Sequence, residues 1–344
     1  ELADRSDALN SILLGTFVVL IGGVSTGCFP LPMKYARNWA WENIWLGYSI
    51  VALLLGPWVV ALATVPHTLA VYQASSPRTV VLTLAFGLAW GVGNVLFGEA
   101  VALVGMALTF AIVAGLCASV GSLIPLAALR PERLLRPSGL VIMFGVAMTV
   151  AGVAILGTAG RGREKRLGSR TAPRNVPLGV LLCCASGILG SMLNFSLAFG
   201  AGIAAAAAQL GAPVGSGANA IWAVAFLGGF VINGGYATLK LVRNGTLSRF
   251  RSRNSGASGL LSALMGVLFY AGFFLYGHGA TRLGVLGPVV GWPVFQATTI
   301  MASTATGAAA GEWRGADGRF VRLNILGLAI LVSAIVVISF GNRL

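Results

Sequence analysis

Five long apolar runs stand on one side of an arginine-rich stretch, residues 160–174, and five stand on the other. Each run holds about 20 residues, the length an α-helix needs to cross ~30 Å of hydrocarbon. The runs are 10–28, 44–65, 79–101, 105–128, 138–158, 176–199, 215–241, 258–277, 283–309 and 321–340. Arg161, Arg163, Glu164, Lys165, Arg166, Arg170 and Arg174 cannot all lie in hydrocarbon, so the stretch that carries them is a break between two halves. Five is an odd number, and a repeated five-crossing unit therefore enters the membrane in the opposite sense the second time. The pattern predicts an all-α integral membrane protein: ten transmembrane helices in two inverted five-helix repeats, 1–159 and 176–344, joined by a basic cytoplasmic loop at 160–175.

Internal echoes support the division. Residues 96–105 read Leu-Phe-Gly-Glu-Ala-Val-Ala-Leu-Val-Gly and residues 275–284 read Leu-Tyr-Gly-His-Gly-Ala-Thr-Arg-Leu-Gly, with Leu96, Gly98 and Gly105 meeting Leu275, Gly277 and Gly284 at a constant offset of 179 residues. Glu99 falls opposite His278. Gly15 and Gly23 in the first run match Gly179 and Gly187 in the sixth.

Only 9% of the chain is charged and 57% is hydrophobic, against about 25% charged in an ordinary soluble domain. The net charge of +14 is no nucleic-acid signature here, because the basic residues lie in short connections between apolar runs, where lipid headgroups and the positive-inside rule account for them. With ten crossings, sixteen of the 23 basic residues fall on one side. These are Lys34 and Arg37, the group from Arg161 to Arg174, the group from Lys240 to Arg253, and Arg314, Arg319 and Arg322. That side is expected to be cytoplasmic, with both termini outside. An alanine-rich stretch at 201–212 is too short for a separate crossing and reads as a helical extension, a re-entrant piece or a surface piece. Cys28, Cys117, Cys183 and Cys184 lack metal-ligand spacing and read as small buried hydrophobes. The chain opens on Glu1, which suggests a trimmed or incomplete start, and no cleavable signal peptide is visible.

Ionisable groups inside apolar runs are functional candidates by default. Glu99 is a candidate proton site or part of a gate, although an acid at headgroup level costs little. His278 titrates in the right range for proton exchange, and reads equally as a polar tail at the membrane surface. Glu42, after Trp39 and Trp41, pairs with Lys34 or Arg37 or lines a cavity mouth. Asn94, Asn194, Gln209, Asn219, Asn233 and Gln296 need partners in hydrocarbon; some glue helices together, and others are placed to bind a polyhydroxylated solute. Trp222, Tyr270, Tyr276 and Trp292 offer flat surfaces for the apolar face of a sugar. Amides and aromatics with few charges favour a neutral polar solute. No phosphate-binding loop, metalloprotease motif or pore filter is present, so the reading is not of an enzyme and involves no cofactor or metal. Energy would come from an ion gradient or from the solute's own gradient.

The sequence resembles the L-rhamnose–proton symporter family, within the drug/metabolite transporter superfamily, along nearly its whole length. The resemblance is carried by Trp39-Ala-Trp-Glu-Asn-Ile-Trp45, Trp90-Gly-Val-Gly-Asn94, Gly228-Gly with Asn233, Phe273-Phe-Leu-Tyr-Gly-His-Gly279, and Glu312-Trp313. It implies ten helices in inverted halves, a bacterial inner-membrane location and proton-coupled uptake of a deoxy sugar. On family motif positions it puts Trp41, Glu42, Asn94, Asn233, Tyr276 and Glu312; Glu99 and His278 depart from the family pattern. The expected partners are a monosaccharide and membrane lipids, without nucleic acid, and a monomer suffices. A drug or metabolite exporter of the same superfamily is the alternative transporter reading, and a membrane receptor or scaffold is the alternative outside transport.

Overall fold

A computed structural model describes residues 2–166, 175–311 and 313–341. Among these residues the ordered elements are all helical. In chain order they are α1 (Leu2–Cys28), α2 (Trp41–Ser49), α3 (Gly56–Thr64), α4 (Thr68–Ala74), α5 (Pro77–Val104), α6 (Met106–Leu129), α7 (Pro137–Arg166), α8 (Val176–Gly190), α9 (Met192–Phe199), α10 (Ala201–Gln209), α11 (Gly217–Asn244), α12 (Ser255–Arg282), α13 (Gly287–Ala309) and α14 (Gly318–Gly341).

Nine segments among the described residues are long and apolar enough to cross a membrane. The ninth expected run, now α13, is not one of them. Its 23 residues reach about 34 Å at ~1.5 Å per residue, but threonines, Gln296 and two prolines dilute its apolarity. The reason is its position. α13 packs against α1, α6, α12 and α14, so much of its surface meets protein and need not match lipid.

Several boundaries differ from the sequence expectation, each for a local reason. The second run begins at Trp41, so Trp41 and Glu42 belong to a helix and not to the preceding connection. Within that run Pro57 has no N–H to return to Leu53, and the backbone widens into a π-helical turn over Ile50–Leu55. α7 continues through Arg166, into the expected break; residues 167–174 of that break lie outside the described residues. The alanine-rich stretch takes the first of its three options. It is α10, a helical extension of α9 past Gly200, packed on α11 and α4.

Packing relations recur along the chain. α1 lies on α12 and α13, while α8 lies on α5 and α6; α7 pairs with α14. The echoing glycines make corresponding close approaches. A Cβ on Gly15 would stand 2.9 Å from the Arg282 Cβ, and one on Gly179 3.2 Å from the Leu103 Cβ. A Cβ on Gly23 would stand 2.9 Å from the Phe295 carbonyl oxygen, and one on Gly187 2.7 Å from the Leu116 Cβ. Leu103 and Arg282, like Leu116 and Phe295, are 179 residues apart, the offset of the sequence echo. Absent side chains at these glycines let the helix backbones touch, which is how apolar helices gain packing energy where no hydrophobic effect drives them together.

The middle of the bundle is filled by rings. Phe226 meets Phe269, Trp222 and Phe273 at centroid distances of 5.9, 5.6 and 5.2 Å, and Tyr276 meets Phe295 at 4.9 Å. These rings join α11, α12 and α13.

Candidate functional site

Two prolines set up the first cluster. Pro125 interrupts α6 and Pro293 interrupts α13. A proline has no N–H for the carbonyl four residues earlier, so Gly121 and Val289 each present a carbonyl that its own helix leaves unbonded. Both are taken by side chains from elsewhere. Asn194 of α9 donates its amide to the Gly121 oxygen at 2.7 Å and to the Pro288 oxygen at 2.8 Å. Ser122 donates to the Val289 oxygen at 2.5 Å. The Asn194 carbonyl accepts from the Tyr276 hydroxyl. Asn194 is 0% exposed, and its three bonds tie α9 to α6, α12 and α13.

Trp292 and Gln296, one turn apart on α13, extend this cluster onto α6. The Trp292 indole N–H donates to the Cys117 carbonyl at 2.8 Å, and the Gln296 amide donates to the Cys117 thiol sulfur at 2.8 Å. Ser191 also donates to the Cys117 carbonyl, at 3.2 Å. The Tyr276 ring lies 5.6 Å from Trp292 and 6.2 Å from Trp222. Trp222 is 0% exposed and its indole N–H has no partner among the described residues. Asn194, Tyr276, Trp292, Gln296 and Trp222, five candidates from sequence, are thus in one place. The groups on offer are amides, hydroxyls, a thiol and indoles, with no carboxylate or cation in the set. Such a set can bond several hydroxyls and cover an apolar ring face, and it has nothing to neutralise an anion.

The second cluster lies at the end of the bundle that carries the basic connections. Glu42, 5% exposed, accepts from the Asn244 amide at 3.0 Å and the Thr246 hydroxyl at 2.7 Å through one carboxylate oxygen. Asn244 ends α11 and Thr246 lies two residues beyond it, so this carboxylate ties the start of α2 to the end of α11. The expectation from sequence, Lys34 or Arg37, named neither of these two partners. Trp41 stacks on Trp45 at 5.1 Å, and the Trp45 indole N–H donates to the Asn233 carbonyl at 3.3 Å. Tyr236 sets its edge against Trp41 at 6.2 Å, donates its hydroxyl to Glu99 at 2.9 Å, and has the Lys240 ammonium 5.4 Å from its ring centroid. Trp41, Glu42, Asn233 and Glu99 are therefore brought together. Tyr236, Lys240, Asn244 and Thr246 are additional members. The first three share steps of three and four residues with Asn233, which places all four on one face of α11, a readable signal.

Other candidates stand apart. Glu99 is exposed and His278 lies at the opposite end of the bundle, half-buried, with Nδ1 3.0 Å from the Phe274 carbonyl oxygen. The two do not form a pair. Asn94 is half-buried on α5 with no side-chain hydrogen bond among the described residues. Tyr270 is buried against Phe226 at 6.1 Å, its hydroxyl without a partner among the described residues. Between spans, on α4, the Tyr72 hydroxyl donates to the Ala220 oxygen at 3.0 Å, and burial pushes its pKa above the ordinary phenol value. Trp313 lies beneath the Arg163 guanidinium at 5.1 Å, while its motif neighbour Glu312 is outside the described residues.

The family described as L-rhamnose-proton symport protein (RhaT) matches residues 8–343. Among curated relatives, the L-rhamnose-proton symporter of Cronobacter sakazakii is 29% identical over 339 residues, covering 96% of this chain and 98% of the relative. The proteins of that name from Shigella boydii and Escherichia coli are each 28% identical over 340 residues, with the same coverage. One crystal structure superposes with a TM-score of 0.56 over 95% of each chain at 19% identity, a likeness of fold alone. The family match takes in both polar clusters and every span described above, and the chain belongs to the L-rhamnose-proton symport protein family.

Proposed function

We propose that this protein carries L-rhamnose, or a neutral monosaccharide close to it, across the membrane together with a proton. The family match over residues 8–343 carries the reading. The neutral, aromatic-walled cluster around Asn194 fits it, because hydroxyl-rich solutes are held by amides and hydroxyls while ring faces lie on Tyr276, Trp222 and Trp292. Uptake is favoured over export of a drug or metabolite, and over a receptor or scaffold role.

In this reading the chain crosses the membrane ten times, α13 included, as two inverted units, 1–159 and 176–344, with 160–175 between them. The mirrored approaches of Gly15 and Gly179, and of Gly23 and Gly187, support it. The side rich in lysine and arginine faces the cytoplasm, which puts both termini outside and the membrane in question at the bacterial inner membrane. A monomer bathed in lipid suffices, since both clusters are built within one chain. The proton is the coupling ion and no cofactor is required.

Glu42 is the coupling acid. Its carboxylate bonds to Asn244 and Thr246 are charge-assisted, roughly twice as strong as neutral ones. Protonation weakens them and loosens α2 from α11 at the cytoplasmic end. The sugar, released from the cluster around Asn194, leaves through that opening, and loss of the proton to the cytoplasm restores the tie. Trp41, Asn233 and Tyr236 form the walls of the same gate, and Glu99 acts as an outer member of it. Counterflow of labelled L-rhamnose in proteoliposomes tests the transport claim. Exchange that L-rhamnose accelerates and unrelated sugars do not is expected; no exchange with any monosaccharide would remove the reading.

A further inference from the structure

The connection from α11 to α12, residues 245–254, carries Arg249, Arg251 and Arg253 and no acidic residue. All three arginines are exposed, and none forms an ion pair among the described residues. The backbone that carries them is held firmly. Gly245 and Asn254, left-handed at φ 62° and 63°, bracket a short helical turn, Thr246–Arg251. On the segment before α2, Trp39 meets the Phe250 ring edge-on at 4.9 Å and donates its indole N–H to the Ser255 hydroxyl at 2.9 Å. Asn38 donates its amide to the Arg253 carbonyl at 2.7 Å, which brings the exposed residue Arg37 beside Arg253. Ser252, between Arg251 and Arg253, donates its hydroxyl to the Arg249 carbonyl at 2.7 Å. Like charges gathered on one rigid piece of backbone repel one another unless an anion comes between them.

The surroundings of these arginines are not those of a surface that faces water alone. Val231, Leu239 and Val242 are exposed along α11, and Val242, 64% exposed, stands immediately before Arg243. Leu247, within the connection, is 57% exposed. Trp41 and Tyr236, ring against ring at this end of α11, mark the headgroup level. Hydrocarbon therefore gives way to arginine at the depth where phospholipid phosphates lie. A partner that meets both the cations and the exposed leucine needs an anion and an apolar chain in one molecule.

We propose that Arg37, Arg251 and Arg253 form a binding site for the phosphate of an anionic phospholipid, with Val242 and Leu247 against its acyl chains. Guanidinium groups suit the task, because each presents two parallel N–H donors to a phosphate. Arg249 is not part of the set; its charge acts on Glu42. The same connection and the α11 residue before it supply Thr246 and Asn244, the partners of Glu42. A bound lipid thus steadies the piece of chain on which that carboxylate is held. The site does not depend on which solute the protein carries.

Native mass spectrometry of the purified protein in a neutral detergent, titrated with phosphatidylglycerol or phosphatidylcholine of the same acyl chains, tests the site. An arginine beside an anionic lipid surface corresponds to about fivefold in affinity. The first phosphatidylglycerol is therefore expected to bind at least about fivefold more tightly than the first phosphatidylcholine. Arg251→Gln and Arg253→Gln should each weaken that phosphatidylglycerol by about fivefold, and by about 25-fold together. Arg78→Gln with Arg136→Gln removes two exposed arginines at the opposite end of the bundle and should leave the first phosphatidylglycerol unchanged. Glycerol phosphate, the soluble headgroup without acyl chains, should not displace it at millimolar concentration. Three results overturn the proposal. One is unchanged phosphatidylglycerol affinity in the Arg251→Gln, Arg253→Gln double variant. Another is an equal loss in the Arg78→Gln, Arg136→Gln variant, which would mean diffuse attraction to total charge. The third is displacement by glycerol phosphate, which would assign the patch to a soluble anion. The titration contains no sugar, so a failure of the transport reading leaves its outcome intact.

Discussion

Removing the Asn194 side chain leaves three buried groups without their partner: the Gly121 and Pro288 carbonyls and the Tyr276 hydroxyl. A buried polar group left unsatisfied costs about 1–3 kcal/mol. Interhelical side-chain bonds in membrane proteins lie lower, averaging ~0.6 kcal/mol with a maximum near ~1.7. The lower scale governs here, and Asn194→Ala should destabilise the protein by about 2 kcal/mol. The Gly121 carbonyl accounts for about 1 kcal/mol of this, because Pro125 denies it the helical N–H that would otherwise take over; the residue at 292 keeps its N–H for Pro288. Pro125→Ala returns an N–H to Gly121. In that background Asn194→Ala should cost about 1 kcal/mol less, a coupling that a double-mutant cycle isolates. The assay is reversible unfolding of the four proteins in mixed micelles as the fraction of denaturing detergent is raised. Equal costs of Asn194→Ala in both backgrounds, within ~0.3 kcal/mol, would refute the assignment of Asn194 as the cap on a proline-freed carbonyl.

Glu42→Gln mimics the protonated carboxyl, so it should keep L-rhamnose counterflow and lose accumulation driven by a pH gradient; accumulation at the unaltered level would remove Glu42 from coupling. Glu99 is exposed and holds one hydrogen bond to Tyr236, and Glu99→Gln should change the uptake rate by no more than about fivefold, since exposed interactions of this kind are worth ~1 kcal/mol or less. A Cβ on Gly22 would stand 2.7 Å from the Gly272 carbonyl oxygen. Gly22→Val should therefore prise α1 from α12, at about 1–3 kcal/mol or more, seen as a lower melting temperature in detergent. A variant as stable as the parent would show that the two helices do not touch there.

Much of the fold was legible because a membrane crossing is a local property: a run of about 20 apolar residues needs no distant partner to identify it. α13 shows the limit. Its threonines and Gln296 are tolerable because α1 and α6 cover them, and coverage is not written in the run itself. The alanine-rich stretch was ambiguous for the same reason, since alanine suits a helix in any surroundings and only the contacts of α10 with α11 and α4 fix its place. At the site, the residue types in the Asn194 cluster were readable but their mutual bonding was not, because it joins α6, α9, α12 and α13. Pro125 and Pro293 did mark where carbonyls would be freed. Glu42 was visible as an acid; its partners Asn244 and Thr246 were not, because they lie some 200 residues away in sequence. Glu99 and His278 align in sequence and yet sit at opposite ends of the bundle. The proposed inverted repeat would have that consequence, since matching positions in it face opposite sides.

The central claim is that sugar and proton cross together. Proteoliposomes with no imposed gradient, suspended in a lightly buffered medium with a pH electrode, test it directly. Addition of L-rhamnose should raise the external pH as protons enter with the sugar, the rise should disappear when a protonophore is present, and Glu42→Gln should abolish it while labelled sugar still exchanges. Entry of labelled L-rhamnose with a flat pH trace would contradict the account.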